Sequence, residues 1–121
     1  MLRIRKAQMK ALEKEQLEVQ IRAHLAECFP QHCEALGPAG TREAVRYGIE
    51  RARTYGFEAE SDLCQYIDLM FLFGQDFEEA PELAWAGEIL KDRSPESPGD
   101  RMRRLFEAAV RHLRQLDEAA E

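Results

Sequence analysis

The longest apolar stretch of the chain lies at its middle, and its pattern predicts a helix over residues 61–74. When this stretch is placed on a helix, its polar residues fall along one side: Ser61, Asp62, Gln65 and Asp68. Apolar side chains cover most of the remaining circumference, which is typical of a helix that packs on several sides. We expect this helix to be central, with Ser61 as its N-cap and Gly74 at its end. Asp68 is expected to pair with an arginine of the second or last helix, or to face solvent.

The residues before this segment predict further helices, beginning with a long N-terminal one over residues 3–29. A proline ends it, because proline disfavours helix in the residue that precedes it. A helical turn over residues 30–36 and a linker over residues 37–40 are expected to follow. A second full helix then spans residues 41–55, with Thr41 as its cap.

The residues after the central helix alternate between loops and helices. Residues 75–81 form an acidic loop, and Pro81 opens a short helix that ends at Leu90. Ser97 caps a final amphipathic helix, which begins with a proline and ends near residue 117. Together these segments predict an all-α fold, a compact bundle of about four to six helices around the central helix.

The length of 121 residues fits a single helical domain that covers residues 1–121. A helix of 27 residues is about 40 Å long, so residues 1–16 are expected to project from the body of the domain. The alternative is that this half of the helix folds back or frays. Residues 118–121 are expected to be a frayed tail.

The start of the chain shows no secretory signal, because no apolar run follows its basic residues. Its three cysteines are an odd number, and we interpret them as reduced thiols. The apolar stretch of 14 residues rises only about 21 Å, which is too short for a membrane span. These features predict a cytoplasmic protein without a membrane partner.

Charge is distributed unevenly along the chain. Residues 58–92 contain ten acidic residues and one basic residue, whereas residues 1–22 contain six basic and three acidic residues. Such an asymmetry can steer a partner of complementary charge. Arginines make the last helix basic on its outer side, but a pI near 5.2 and the acidic middle disfavour a nucleic-acid partner.

Two segments are candidates for contact with a partner protein. In the acidic loop, an aromatic residue among acids could anchor a basic partner, or it could plug the core of the domain. In the projecting half-helix, apolar residues could be carried to a partner or to a second copy of the chain. The predicted partner-binding residues are Ile4, Met9, Leu12, Asp76, Phe77, Glu78, Glu79 and Glu82.

Histidines and cysteines raise the alternative of metal or thiol chemistry. Four residues offer the ligand types that zinc uses: His24, Cys28, His32 and Cys33. They lack a Cys-x-x-Cys pair, and a proline interrupts them. Cys64 lies near the start of the central helix, where the helix dipole favours a thiolate. However, Cys28 and Cys64 also fit apolar stripes as small hydrophobic residues, so we favour no metal, no cofactor and no catalytic residue.

Residues 47–90 carry a series of motifs: a YGIxRA helix, a YGF turn, a DLCxYIDLM helix, an FGxDF turn and a WAxxIL helix. These motifs resemble a family of small, uncharacterised bacterial proteins encoded in type VI secretion gene clusters, near spike proteins and their toxic effectors. The resemblance covers roughly a third of the chain, and it carries no catalytic motif.

The resemblance implies a non-enzymatic, protein-binding accessory protein in the cytoplasm. The favoured role is an adaptor or co-chaperone that holds a secretion effector and helps to load it on the spike. An immunity protein that binds and neutralises a cognate toxin is the alternative, and a small thiol- or metal-dependent enzyme is a less favoured one. The expected partner is therefore an effector or a toxin, with a spike-loading factor or a second copy of the chain as further candidates.

Overall fold

The computed structural model describes residues 6–92, 94 and 96–120. Five α-helices are present in this part of the chain: α1 (Lys6–Cys28), α2 (Pro30–Thr54), α3 (Glu60–Phe73), α4 (Ala84–Leu90) and α5 (Pro98–Ala120). Two short 3₁₀ turns, Phe77–Glu79 and Pro81–Leu83, lie between α3 and α4. The described residues contain no strand, so the prediction of an all-α fold with four to six helices is confirmed.

The chain divides into two compact units, Met1–Tyr47 and Gly48–Glu121. In the first unit, α1 has a buried apolar stripe, which consists of Leu17, Ile21 and Leu25. The prediction of a single domain over the whole chain stays a prediction.

The start of α2 departs from the sequence prediction. Within α2 only Gly37 has a non-helical backbone, with a φ of 74° and a ψ of 171°, and the helix resumes at Pro38. Proline fits the first turn of a helix, because its fixed φ is helical and its missing N–H has no partner to lose there. The predicted break between two helical segments is therefore confirmed at Gly37, but residues 38–40 are helical and do not belong to a linker. The predicted cap is wrong as well, since Thr41 lies inside the helix and is only 6% exposed.

α3 is the apolar helix at the centre of the second unit, as predicted. Its buried residues are Asp62, Leu63, Tyr66, Ile67, Leu69, Met70 and Phe71. The helix begins at Glu60 with Ala59 as its N-cap, and no side chain caps it, so the predicted cap at Ser61 is wrong. At its end Gly74 has a φ of 111° and donates its N–H to the carbonyl oxygen of Met70 at 2.8 Å. Glycine adopts a positive φ without steric cost.

α5 packs against α3 and α4 in the second unit. Its predicted start is confirmed, because the N–H of Asp100 donates to the hydroxyl oxygen of Ser97 at 3.2 Å. Met102 and Leu105 are 1% and 0% exposed, as expected for the inner face of this helix. The helix continues to Ala120, three residues past the end that the sequence predicts.

Arg101 of α5 forms hydrogen bonds with backbone carbonyls at the C-terminal ends of two other helices. Its guanidinium donates to the carbonyl oxygens of Tyr55, Leu90 and Asp92, which lie where α2 and α4 end. It also lies over the ring of Phe57, 4.8 Å from the ring centroid. Phe57 is 0% exposed and therefore belongs to the core of the second unit.

Candidate functional site

The structure places two residues of the predicted acidic loop in the interior. Phe77 is 1% exposed, and its ring centroid lies 5.4 Å from that of Tyr66 and 6.3 Å from that of Phe73. Glu78 is 3% exposed. The prediction that Phe77 and Glu78 contact a partner is therefore corrected, because neither side chain reaches the surface.

The remaining acids of the loop, Asp76, Glu79 and Glu82, are exposed. Because Phe77 is buried, these three exposed acids lack the aromatic anchor that the sequence suggests. Contact between these three residues and a partner stays a prediction.

Arg51 of α2 holds the loop through two carboxylates. Its Nε donates to Glu78 Oε1 at 2.7 Å, and its Nη2 donates to Glu79 Oε1 at 2.7 Å. The hydroxyl of Tyr55 donates to the same Glu78 oxygen at 3.2 Å. The hydrogen bond to Glu78 raises the pKa of Arg51 above its ordinary value, against the opposing effect of burial. This cluster is structural, because it compensates a carboxylate that is buried away from water.

Two buried oxygens beside this ion pair have no hydrogen-bond partner in the described part of the chain: Tyr66 Oη and Glu78 Oε2. Burial raises the pKa of Tyr66 well above its ordinary value, and the charge of Glu78 raises it further. The same two effects raise the pKa of Tyr55. Both phenols therefore keep their protons to a higher pH than an ordinary tyrosine does.

A strip of exposed residues runs along one face of α1. It consists of Met9, Leu12, Gln16, Val19 and Ala23, and we call it the α1 seam. The exposed fraction is 49% for Met9, 57% for Leu12 and 49% for Val19. The residues are separated by alternating steps of three and four positions, which is the spacing of the contact positions in a coiled coil.

The α1 seam contains two of the residues that the sequence predicts to bind a partner, Met9 and Leu12. Ile4, the third residue predicted in the N-terminal segment, lies outside the described residues. Val19 is a third exposed apolar residue that the sequence prediction does not include, because the apolar stripe through Leu17 lies on the other face of α1. The spacing of positions 9, 12, 16 and 19 is the signal that could have revealed it.

A second surface feature is a groove of about 450 Å³ along α5, which we call the α5 groove. Its apolar lining comes from Phe106 and Val110. Its polar lining includes Gln65 of α3 and Arg103, Arg111 and Arg114 of α5. The sequence places these arginines on the outer side of the last helix, but it gives no sign that apolar residues lie between them.

Among the described residues, the four that were considered as zinc ligands do not form one cluster. Cys28 Sγ lies 3.8 Å from His24 Nδ1, one helical turn away. Among the residues that the structure describes, no three of His24, Cys28, His32 and Cys33 converge on a common point. Cys28 is exposed rather than part of the buried stripe of α1, and Cys64 is half-buried.

Comparisons of the chain with protein-family models, with curated proteins and with solved structures found no match. In the part of the chain that the structure describes, no helix has both the length and the apolar character needed to cross a membrane.

Proposed function

We propose that this protein is a non-enzymatic, protein-binding accessory protein that docks a helix of its partner on the α1 seam. The observation that carries this proposal is the exposure of Met9, Leu12 and Val19 at coiled-coil spacing. Single exposed apolar residues are ordinary on a protein surface, but an aligned set of them is typical of an interaction site.

The two faces of α1 differ in their surroundings. Leu17, Ile21 and Leu25 are 8%, 2% and 0% exposed. On a helix of 3.6 residues per turn, the α1 seam lies on roughly the opposite side from these three residues. One face of α1 is therefore occupied by its own chain, and the other face is open to a partner.

The size of the α1 seam indicates how much it contributes to binding. Burial of the exposed half of each of its three large apolar side chains contributes about 1 kcal/mol. The total of about 3 kcal/mol corresponds to roughly a hundredfold in affinity. Contacts beside the seam must supply the rest. Glu13 and Glu15 flank it at positions that pair with partner charges in coiled coils, so they favour a partner helix with basic flanks.

The finer role that we propose is an adaptor or co-chaperone that holds a type VI secretion effector in the cytoplasm and helps to load it on the spike. Its support is the resemblance of residues 47–90 to proteins of such gene clusters. The 23 residues of α1 also offer a docking surface of about 35 Å. An immunity protein that neutralises a cognate toxin is the alternative role.

The experiment that separates these roles is an affinity pull-down of the tagged protein from its native cell lysate, followed by mass spectrometry. The adaptor role predicts recovery of an effector together with a spike protein or another loading factor. Recovery of a toxin alone, at one-to-one stoichiometry and with its activity abolished, would replace the adaptor by an immunity protein. Recovery of no specific protein would contradict both roles.

A further inference from the structure

The apolar lining of the α5 groove continues along the helix. Phe106 is half-buried, Val110 is 41% exposed and Leu113 is 39% exposed. These residues are four and three positions apart, so their side chains form one row on the surface of α5. A row with this spacing fits the apolar face of a second helix that lies along it.

The rim of the groove is basic. Arg111 and Arg114 form no ion pair with any described residue, and Arg103 pairs with Asp100 at the exposed surface. Glu107 is the one acidic residue among the described residues that line the groove. Several other arginines of the chain have carboxylate partners: Arg46, Arg51, Arg53 and Arg104. These two guanidinium groups, which pair with no described carboxylate, lie beside an apolar row and are therefore suited to carboxylates that come from another molecule.

The dimensions and charge of the groove narrow the choice of ligand. Its lining extends along α5 from Gly99 to Arg114, which is about 22 Å or four helical turns. A helix of about 15 residues matches this length. If two copies paired groove to groove, the same arginines would face each other, so the charge of the groove favours a different protein over a symmetric dimer as the occupant.

We propose that the α5 groove binds an acidic amphipathic helix of a partner protein. Apolar side chains of that helix, at positions i, i+4 and i+7, pack on Phe106, Val110 and Leu113. Carboxylates on its flanks pair with Arg111 and Arg114. The inference rests on the proposed function, because it takes the ligand to be a protein. It adds a second contact surface. The α5 groove favours a partner helix with acidic flanks, whereas the α1 seam favours one with basic flanks.

The test is a selection of 16-residue peptides from a random displayed library on the immobilised full-length chain. The enriched peptides are then synthesised, and their affinities are measured by fluorescence anisotropy. We expect enrichment of acidic sequences with apolar residues at i, i+4 and i+7, and weaker binding at higher salt.

Two matched variants locate the binding site. Arg111→Glu/Arg114→Glu reverses two charges at the groove, and Lys10→Glu/Lys14→Glu makes the same change in net charge on exposed positions of α1. Circular dichroism and thermal melts establish that both variants are folded. We expect the groove variant to weaken binding of the acidic peptides by roughly tenfold or more, whereas the control stays within about twofold of the native chain.

Three results would overturn the proposal. The first is the absence of acidic amphipathic peptides among the enriched sequences, and the second is an affinity that the groove variant leaves unchanged. The third is a native dimer, seen by sedimentation velocity, that the groove variant dissociates, because it would assign the groove to a second copy. The proposed function is judged separately, since its test recovers the partner from the lysate and the α1 seam is probed by substitution at Leu12.

Discussion

Glu78 keeps a carboxylate inside the second unit because Arg51 and Tyr55 donate hydrogen bonds to one of its oxygens. Arg51 also binds Glu79, but the Glu79 side chain is 60% exposed whereas that of Glu78 is 0% exposed. The same arginine therefore forms a buried and an exposed ion pair, and the two pairs can be compared within one molecule.

We expect Glu78→Ala to lower the free energy of unfolding by about 3 kcal/mol, because it leaves the partly buried Arg51 guanidinium without its main partner. Glu79→Ala is the matched control, and we expect a loss below about 1 kcal/mol, because water and salt screen an exposed pair. Urea denaturation followed by circular dichroism measures both values. Equal losses for the two variants would contradict the assignment of Glu78 to the interior.

Tyr66 allows a prediction about pH, because burial and the charge of Glu78 raise the pKa of its phenol in the folded protein. In the unfolded chain this phenol ionises near pH 10. The folded state thus keeps the proton to a higher pH than the unfolded state does. The stability that Tyr66 contributes is fully present below about pH 10, and it is lost as the pH rises above this value.

We expect Tyr66→Phe to reduce the fall in unfolding free energy between about pH 9 and pH 11, with the remaining slope due to the other ionisable groups. At pH 7 the same variant should be neutral, or more stable by up to about 1 kcal/mol, since the Tyr66 hydroxyl has no hydrogen-bond partner in the described part of the chain. Urea titrations at several pH values test both points. A loss above about 1 kcal/mol at pH 7 would show that the hydroxyl is hydrogen-bonded.

At the scale of elements, the contact between α2 and α3 in the second unit depends on Gly48. A Cβ atom at this position would lie 2.5 Å from Ile67 Cγ1 and 2.9 Å from Met70 Sδ. Both neighbours are side chains of α3, and they can lie this close to α2 because position 48 has no Cβ atom.

We expect Gly48→Ala to destabilise the protein by about 1–3 kcal/mol, because the added methyl group overpacks the contact with α3. Gly99→Ala in the first turn of α5 is the control, since a Cβ there would meet no atom within 4 Å. This control should be neutral or more stable by about 0.5–1 kcal/mol, because alanine favours helix over glycine. Thermal denaturation of the two variants provides the comparison, and equal melting temperatures would contradict the tight α2–α3 contact.

Most helices of this chain can be predicted from sequence because their buried faces repeat at helical spacing, as Leu17, Ile21 and Leu25 do in α1. The error at residues 38–40, which are helical, has a local cause. A Gly-Pro pair is typical of a linker, but proline is also a good first residue for a helix. The sequence does not reveal which preference prevails, because the choice depends on the burial of residues such as Thr41.

The candidate surfaces are less predictable than the helices. Phe77 lies among acidic residues in the sequence, a pattern that is typical of an exposed loop. Its position in the core depends on contacts with the rings of Tyr66 and Phe73 in α3. The α5 groove was missed for a similar reason. Val110 matches the apolar pattern only weakly, and its exposure depends on which face of α5 packs against α3 and α4.

At the scale of the whole molecule, the two candidate surfaces lie in different compact units, the α1 seam in Met1–Tyr47 and the α5 groove in Gly48–Glu121. Each combines exposed apolar side chains with charges, but acidic residues flank the first and arginines flank the second. A protein that binds partners through both surfaces can therefore distinguish helices by their charge. The central claim is that the α1 seam is a protein-binding surface.

The measurement that tests this claim most directly is a parallel pull-down from native lysate with three baits: the native chain, Leu12→Glu and Ala11→Glu. Both substitutions add one negative charge at neighbouring exposed positions, but only Leu12 belongs to the α1 seam. We predict that the native chain and Ala11→Glu retain the same protein in stoichiometric amounts, and that Leu12→Glu loses most of it. Equal recovery of that protein by all three baits would contradict the assignment of the α1 seam as the binding surface.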